Sequence, residues 1–165
     1  MVFLERAADR VSQGLALIGA VGVVALLAHV GIDVVTRNLF GRPIPATNEI
    51  VSRYYMVLIA FLPLAWVERG RAMISVEVLD AVMSRPFRRV SDTAVAALAA
   101  VIYAAIAWVT WADAVKNWRI GSFVDVLGRE VPVWPTYFLP PAGFLLAAAV
   151  TALRAVQVAR GADRQ

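Results

Sequence analysis

The chain has 165 residues, 61% of them hydrophobic and only 17% charged, with a mean hydropathy of +0.71 and a net charge of +4. A soluble domain of this length carries about a quarter charged residues, so the composition defines a membrane protein with room for four spans and short connections. The absence of cysteine excludes disulfides, thiolate metal sites and iron–sulfur ligation, and the single histidine, His29, excludes bis-histidine haem ligation. The arginines are scattered around hydrophobic segments rather than massed on one face, which points to membrane orientation and away from nucleic acid.

In chain order, Met1 to Gln13 sets Glu5, Arg6, Asp9 and Arg10 among apolar residues at roughly helical spacing, the pattern of a short interfacial lead-in. The first span follows over 14–35. Its apolar core exceeds a signal-peptide core of about 7–15 residues and three spans come after it, so it is read as an uncleaved helix. The second span covers 50–67, with Arg53 near its start and a kink expected at Pro63. The third, over 93–112, is uncharged throughout. The fourth occupies 135–153 within the uncharged run from Val131 to Leu153. Pro132 and Pro135 are placed at its mouth, and Pro140 and Pro141 are expected to bend it from inside.

Between the second and third spans, Ala72 to Ser84 is too short and too acidic to cross a membrane. Glu77, Asp80 and Ser84 share one stripe, with Ile74, Val78, Ala81 and Val82 beside it, and arginines flank both ends. This is the pattern of an amphipathic helix lying in the interface over 72–84, ended by Pro86. The fold class is therefore an all-α membrane protein, with four transmembrane helices and one short interfacial helix in a single domain over 1–165.

Placing the N-terminus in the cytoplasm puts ten of the sixteen basic residues on the inner side, the bias that sets topology. Tyr54, Tyr55, Trp111, Trp118 and Trp134 then gather toward the outer interface and Trp66 toward the inner one, as aromatic belts require. Both termini are expected in the cytoplasm.

His29, Asp33 and Arg37 are spaced four apart and share a helix face. Two readings stand: a proton relay or ion site, or a packing face with Asp33 and Arg37 paired near the outer interface. Glu49 and Arg53 form a second four-apart pair, where Asn48 or Thr47 serves as a helix cap. Either the pair is a surface contact worth about 0.5 kcal/mol, or it fixes a partner subunit. On the third span Ala96, Ala100 and Ala104 recur every four residues, a small-residue stripe suited to close helix approach. The outer loop from Lys116 to Glu130 shows no recognisable motif. There is no phosphate loop, no nucleophile beside the histidine and no metal-ligand cluster, so neither catalysis nor a cofactor is expected.

Three groups of residues carry a family resemblance. Arg37, Gly41 and Pro45 lead into Glu49. Arg69-Gly70-Arg71 is followed by Ala72-Met73-Ile74-Ser75-Val76-Glu77. Pro132-x-Trp134-Pro135-x-Tyr137 continues to Pro140 and Gly143. Together they resemble the small membrane subunit of tripartite ATP-independent periplasmic (TRAP) transporters, the DctQ-like proteins, over nearly the whole chain. Met73 stands where that family commonly has histidine and Glu77 where it has aspartate, so no chemical role is expected of that histidine here.

The resemblance implies a scaffold subunit in the bacterial inner membrane. Its partners would be a large sodium-coupled permease subunit, a periplasmic substrate-binding protein that docks transiently, and the lipid bilayer. Asp33, Arg37, Glu49, Arg53, Arg69, Arg71, Trp134 and Tyr137 are the candidate subunit-interface or anchoring residues. The alternatives are the four-span small subunit of a tripartite tricarboxylate-type transporter, a membrane anchor of an enzyme complex, and a self-sufficient exporter.

Overall fold

The structure is a computed structural model and describes residues 2–69 and 85–160. Among the described residues four helices are long and apolar enough to cross a membrane: Arg10–Phe40, Thr47–Glu68, Phe87–Ile120 and Trp134–Ala159. The expected interfacial helix over 72–84, with Arg71 before it, lies outside the described residues.

Helix α1 runs unbroken over Val2–Phe40, so lead-in and first span share one axis. At 1.5 Å per residue it is about 58 Å long, nearly twice the hydrocarbon thickness of about 30 Å. Its buried positions, Ser12, Gly19, Gly22 and Asp33, recur at steps that keep one face turned inward. Leu17, Val21, Val24 and Leu27 point the other way and are exposed. An apolar face of that kind is solvated by lipid or by a partner.

The second span is segmented. It consists of α2 (Thr47–Ile50), a π-helical turn (Val51–Tyr55), α3 (Met56–Phe61) and α4 (Leu64–Arg69). The break at Leu62–Pro63 is where proline was expected to interrupt the helix, because it has no N–H to give the preceding turn. The helix restarts at once, with the Trp66 and Val67 N–H groups both donating to the Pro63 carbonyl.

Glycines on two other helices meet this span. A Cβ on Gly19 would stand 2.8 Å from Pro63 Cγ, and one on Gly22 2.6 Å from Leu58 Cδ2. A Cβ on Gly143, in the last helix, would stand 2.3 Å from the Phe61 carbonyl oxygen. The absence of side chains is what brings these backbones together, the usual device for packing helices in lipid.

Helix α5 spans Arg85–Ile120, longer than the uncharged run 93–112 at both ends. Pro86 falls in its first turn, a position that needs no N–H donor. Ala96 is buried and Ala104 is exposed, while the inward face continues through Tyr103, Ala107 and Ala114. A strict four-residue step drifts about 40° per repeat against a 3.6-residue turn, so alternating steps of three and four are what stay on one face.

The outer loop adds one short β-hairpin to an otherwise helical chain. Strands β1 (Phe123–Val126) and β2 (Arg129–Pro132) form an antiparallel hairpin that pairs Val126 with Arg129 across a two-residue turn. Leu127 and Gly128 both have positive φ, 54° and 76°, as a type I′ turn demands. Ser122 closes the base, its carbonyl accepting from the Val133 and Trp134 N–H groups at 2.9 and 3.1 Å.

The fourth span opens with a 3₁₀ turn, Trp134–Phe138, and continues as α6, Leu139–Ala159. Pro140 and Pro141 therefore occupy the first turn of α6 and do not bend it from inside, because the change of helix type just before them frees those positions from donating. Of the four spans α6 is the most enclosed, packing along α5 and against α3 and α4. At its last turn Arg89 of α5 donates through Nε to the Val158 carbonyl at 2.9 Å and through Nη2 to that of Ala159. A cation is thus placed on carbonyls at the negative end of the helix.

Candidate functional site

Polar side chains concentrate at the end of the bundle that carries the hairpin. Asp33, only 4% exposed, fixes the connection between α1 and α2. Its Oδ1 accepts the Ile44 N–H at 2.6 Å, and its Oδ2 accepts from Arg37 Nη2 at 3.0 Å. The Thr47 hydroxyl donates to the Ile44 carbonyl at 3.0 Å and stands 3.5 Å from His29 Nε2. The His29 ring meets Tyr55 edge-on at 5.8 Å. His29 and Asp33 thus serve a turn, with the charge of Asp33 matched by a backbone donor and a guanidinium.

The expected cap of the second helix is not formed. Ala46 stands at the cap position with φ 65°, and no side chain caps the helix. The Thr47 hydroxyl is directed back to Ile44, which removes it from that role. Glu49 and Arg53 also form no ion pair with each other among the described residues. Both residues instead line an open cleft of about 430 Å³ with Asn48, Ser52 and, from the hairpin, Val124. The Tyr54 hydroxyl donates to the Pro132 carbonyl and holds hairpin and second span together.

Trp134 and Tyr137 lie half-buried on the 3₁₀ turn at the same end. Trp111 meets Phe138 edge-on at 5.7 Å beside them. Arg69 closes α4 at the opposite end. The structure thus gathers Asp33, Arg37, Glu49, Arg53, Trp134 and Tyr137 at one end of the bundle and separates Arg69 from them.

One buried group lies outside every sequence expectation. Glu68, placed just beyond the second span by hydropathy, is 8% exposed and accepts a hydrogen bond from the Tyr103 hydroxyl of α5. Tyr103 lies 18 residues into a 36-residue helix, near its middle. Its ring stacks near Phe144, which in turn meets Phe61 edge-on. The available signal was Tyr103 itself, an aromatic with a polar tip in an otherwise apolar span, which demands a partner when buried. Among the described residues no group of three or more histidine, aspartate or glutamate side chains is placed to hold a metal.

Among the described residues both buried carboxylates, Asp33 and Glu68, are bonded inside the chain, and the four long apolar helices define a multi-span membrane protein. A family model for the DctQ component of tripartite ATP-independent periplasmic transporters matches residues 26–161, and the chain belongs to that family. It is therefore a small inner-membrane, multi-pass component of a TRAP system, and the family is one of transporter components rather than enzymes. No curated protein and no solved structure matches the chain.

Proposed function

We propose that this chain is the fixed scaffold subunit of a sodium-coupled TRAP uptake transporter, forming one transmembrane domain beside a large permease subunit. The observation that carries the reading is how its buried acids are used. Asp33 is spent on the Ile44 N–H and Arg37, and Glu68 on Tyr103, while Leu17, Val24, Leu98, Val101 and Trp108 stay exposed on α1 and α5. Groups locked into internal bonds hold a structure together, and exposed apolar helix faces are what a membrane partner or lipid covers.

In this reading the hairpin end faces the periplasm and both termini face the cytoplasm, in line with the arginine bias. A substrate-binding protein meets that outer end transiently. Asp33 and Arg37 hold the outer turn in shape, and Trp134 and Tyr137 set the depth of the fourth span. Glu49 and Arg53 act at the outer boundary, Arg69 and Arg71 at the inner one.

Co-purification tests the proposal. Tagged chain co-expressed with a large TRAP permease subunit from the same organism is expected to retain the permease through detergent extraction, and uptake is expected to require both. Normal uptake by the permease without this chain would overturn it.

A further inference from the structure

We propose that the cleft at the hairpin end is a binding site for the headgroup of phosphatidylethanolamine, with Arg53 on the phosphate and Glu49 on the ammonium. The choice of the outer leaflet rests on the orientation given above; the site itself does not.

The cleft of about 430 Å³ is lined by one guanidinium and one carboxylate, and neither forms an ion pair among the described residues. A ligand that carries both signs on a short linker satisfies both groups, whereas a simple anion would sit against Glu49 at a cost in repulsion. Polarity along the helix also fits. Glu49 belongs to the first turn, nearer water, and Arg53 lies one turn further into the span, about 6 Å along the axis. In an ethanolamine lipid the phosphate joins the glycerol and lies on the membrane side, with the ammonium beyond it.

Below Arg53 the exposed stripe continues through Met56 and Ala60, three and seven residues on, which leaves an apolar track for an acyl chain. Ser52 donates its own proton to the Asn48 carbonyl, so its oxygen is left to accept from an ammonium N–H. A choline headgroup has no N–H to give. The site therefore discriminates by charge against phosphatidylglycerol and by hydrogen bonding against phosphatidylcholine.

The test uses the full chain in detergent micelles, titrated with dioleoyl-phosphatidylethanolamine, -glycerol or -choline and read by native mass spectrometry. One phosphatidylethanolamine per chain is expected to be retained about tenfold more tightly than either other lipid, the factor that one charge-assisted contact supplies. Arg53→Gln is expected to abolish that preference, Arg53→Lys to restore most of it, and Glu49→Gln to let phosphatidylglycerol compete equally. Arg42→Gln and Glu130→Gln are expected to change nothing. Equal retention of all three lipids, an unchanged preference in Glu49→Gln, or displacement of the lipid by inorganic phosphate alone would each overturn the site. None of these outcomes bears on the scaffold reading, which depends on permease retention in a separate experiment.

Discussion

Gly143 of α6 lies so close to the Phe61 carbonyl of α3 that a methyl group there would stand 2.3 Å from the oxygen. The obstacle is backbone, which cannot swing aside as a side-chain tip can. Gly143→Ala is therefore expected to force the fourth span off the second, destabilising the bundle by about 2–3 kcal/mol. Gly31→Ala on α1 is the control, since nothing lies within 4 Å of its added Cβ. That change is expected to be neutral or to stabilise by up to about 1 kcal/mol, as alanine for glycine does in a helix. Thermal unfolding in micelles compares the two, and equal midpoints would refute the close approach.

The bond from Tyr103 to Glu68 makes a second, separable prediction. Tyr103→Phe keeps the ring against Phe144 and removes only the donor, leaving a buried acceptor unmatched. The expected cost is about 1–3 kcal/mol. Adding Glu68→Leu to Tyr103→Phe removes both polar partners, and most of that loss is expected to return. If the double variant is as unstable as the sum of the singles, the two groups are not coupled.

These two contacts also show what could and could not be read from residues alone. Four spans were legible because a bilayer demands about 20 apolar residues per helix, and Pro63 announced its break by lacking a donor. Glu68 was not legible, because a hydropathy reading ends a span at its first charge. Only the packing of α4 against α6, and Tyr103 beside it, shows that this charge is inside. The Asp33–Arg37 pair followed from four-residue spacing. At Glu49 and Arg53 the same spacing yields no ion pair among the described residues. The hairpin escaped notice because its strands are only four residues long and Leu127-Gly128 is not a turn pair that sequence flags.

Asp33 offers a local probe of the outer turn. Asp33→Ala removes the acceptor of the Ile44 N–H, and hydrogen exchange of that amide is expected to speed up by about tenfold, the worth of one charge-assisted bond. Asp33→Asn retains an oxygen for Ile44 while surrendering the charge that holds Arg37. It is expected to protect the amide nearly as well as the native residue. If Asp33→Ala exchanges no faster than the native chain, the Asp33 side chain is not what fixes the turn.

Leu127 is poorly suited to its place. It holds φ 54° at the first position of a type I′ turn, where a β-carbon crowds the following carbonyl at a cost of about 1–2 kcal/mol. It is also 87% exposed, so its side chain gives little back in packing within the chain. Leu127→Asn is therefore expected to stabilise the hairpin by about 1 kcal/mol, read as slower amide exchange across β1 and β2. Gly128→Ala is expected to act in the opposite sense, since φ 76° strains any side chain. Should Leu127→Asn instead loosen the hairpin in the isolated chain, the leucine side chain must contribute packing that outweighs its backbone strain.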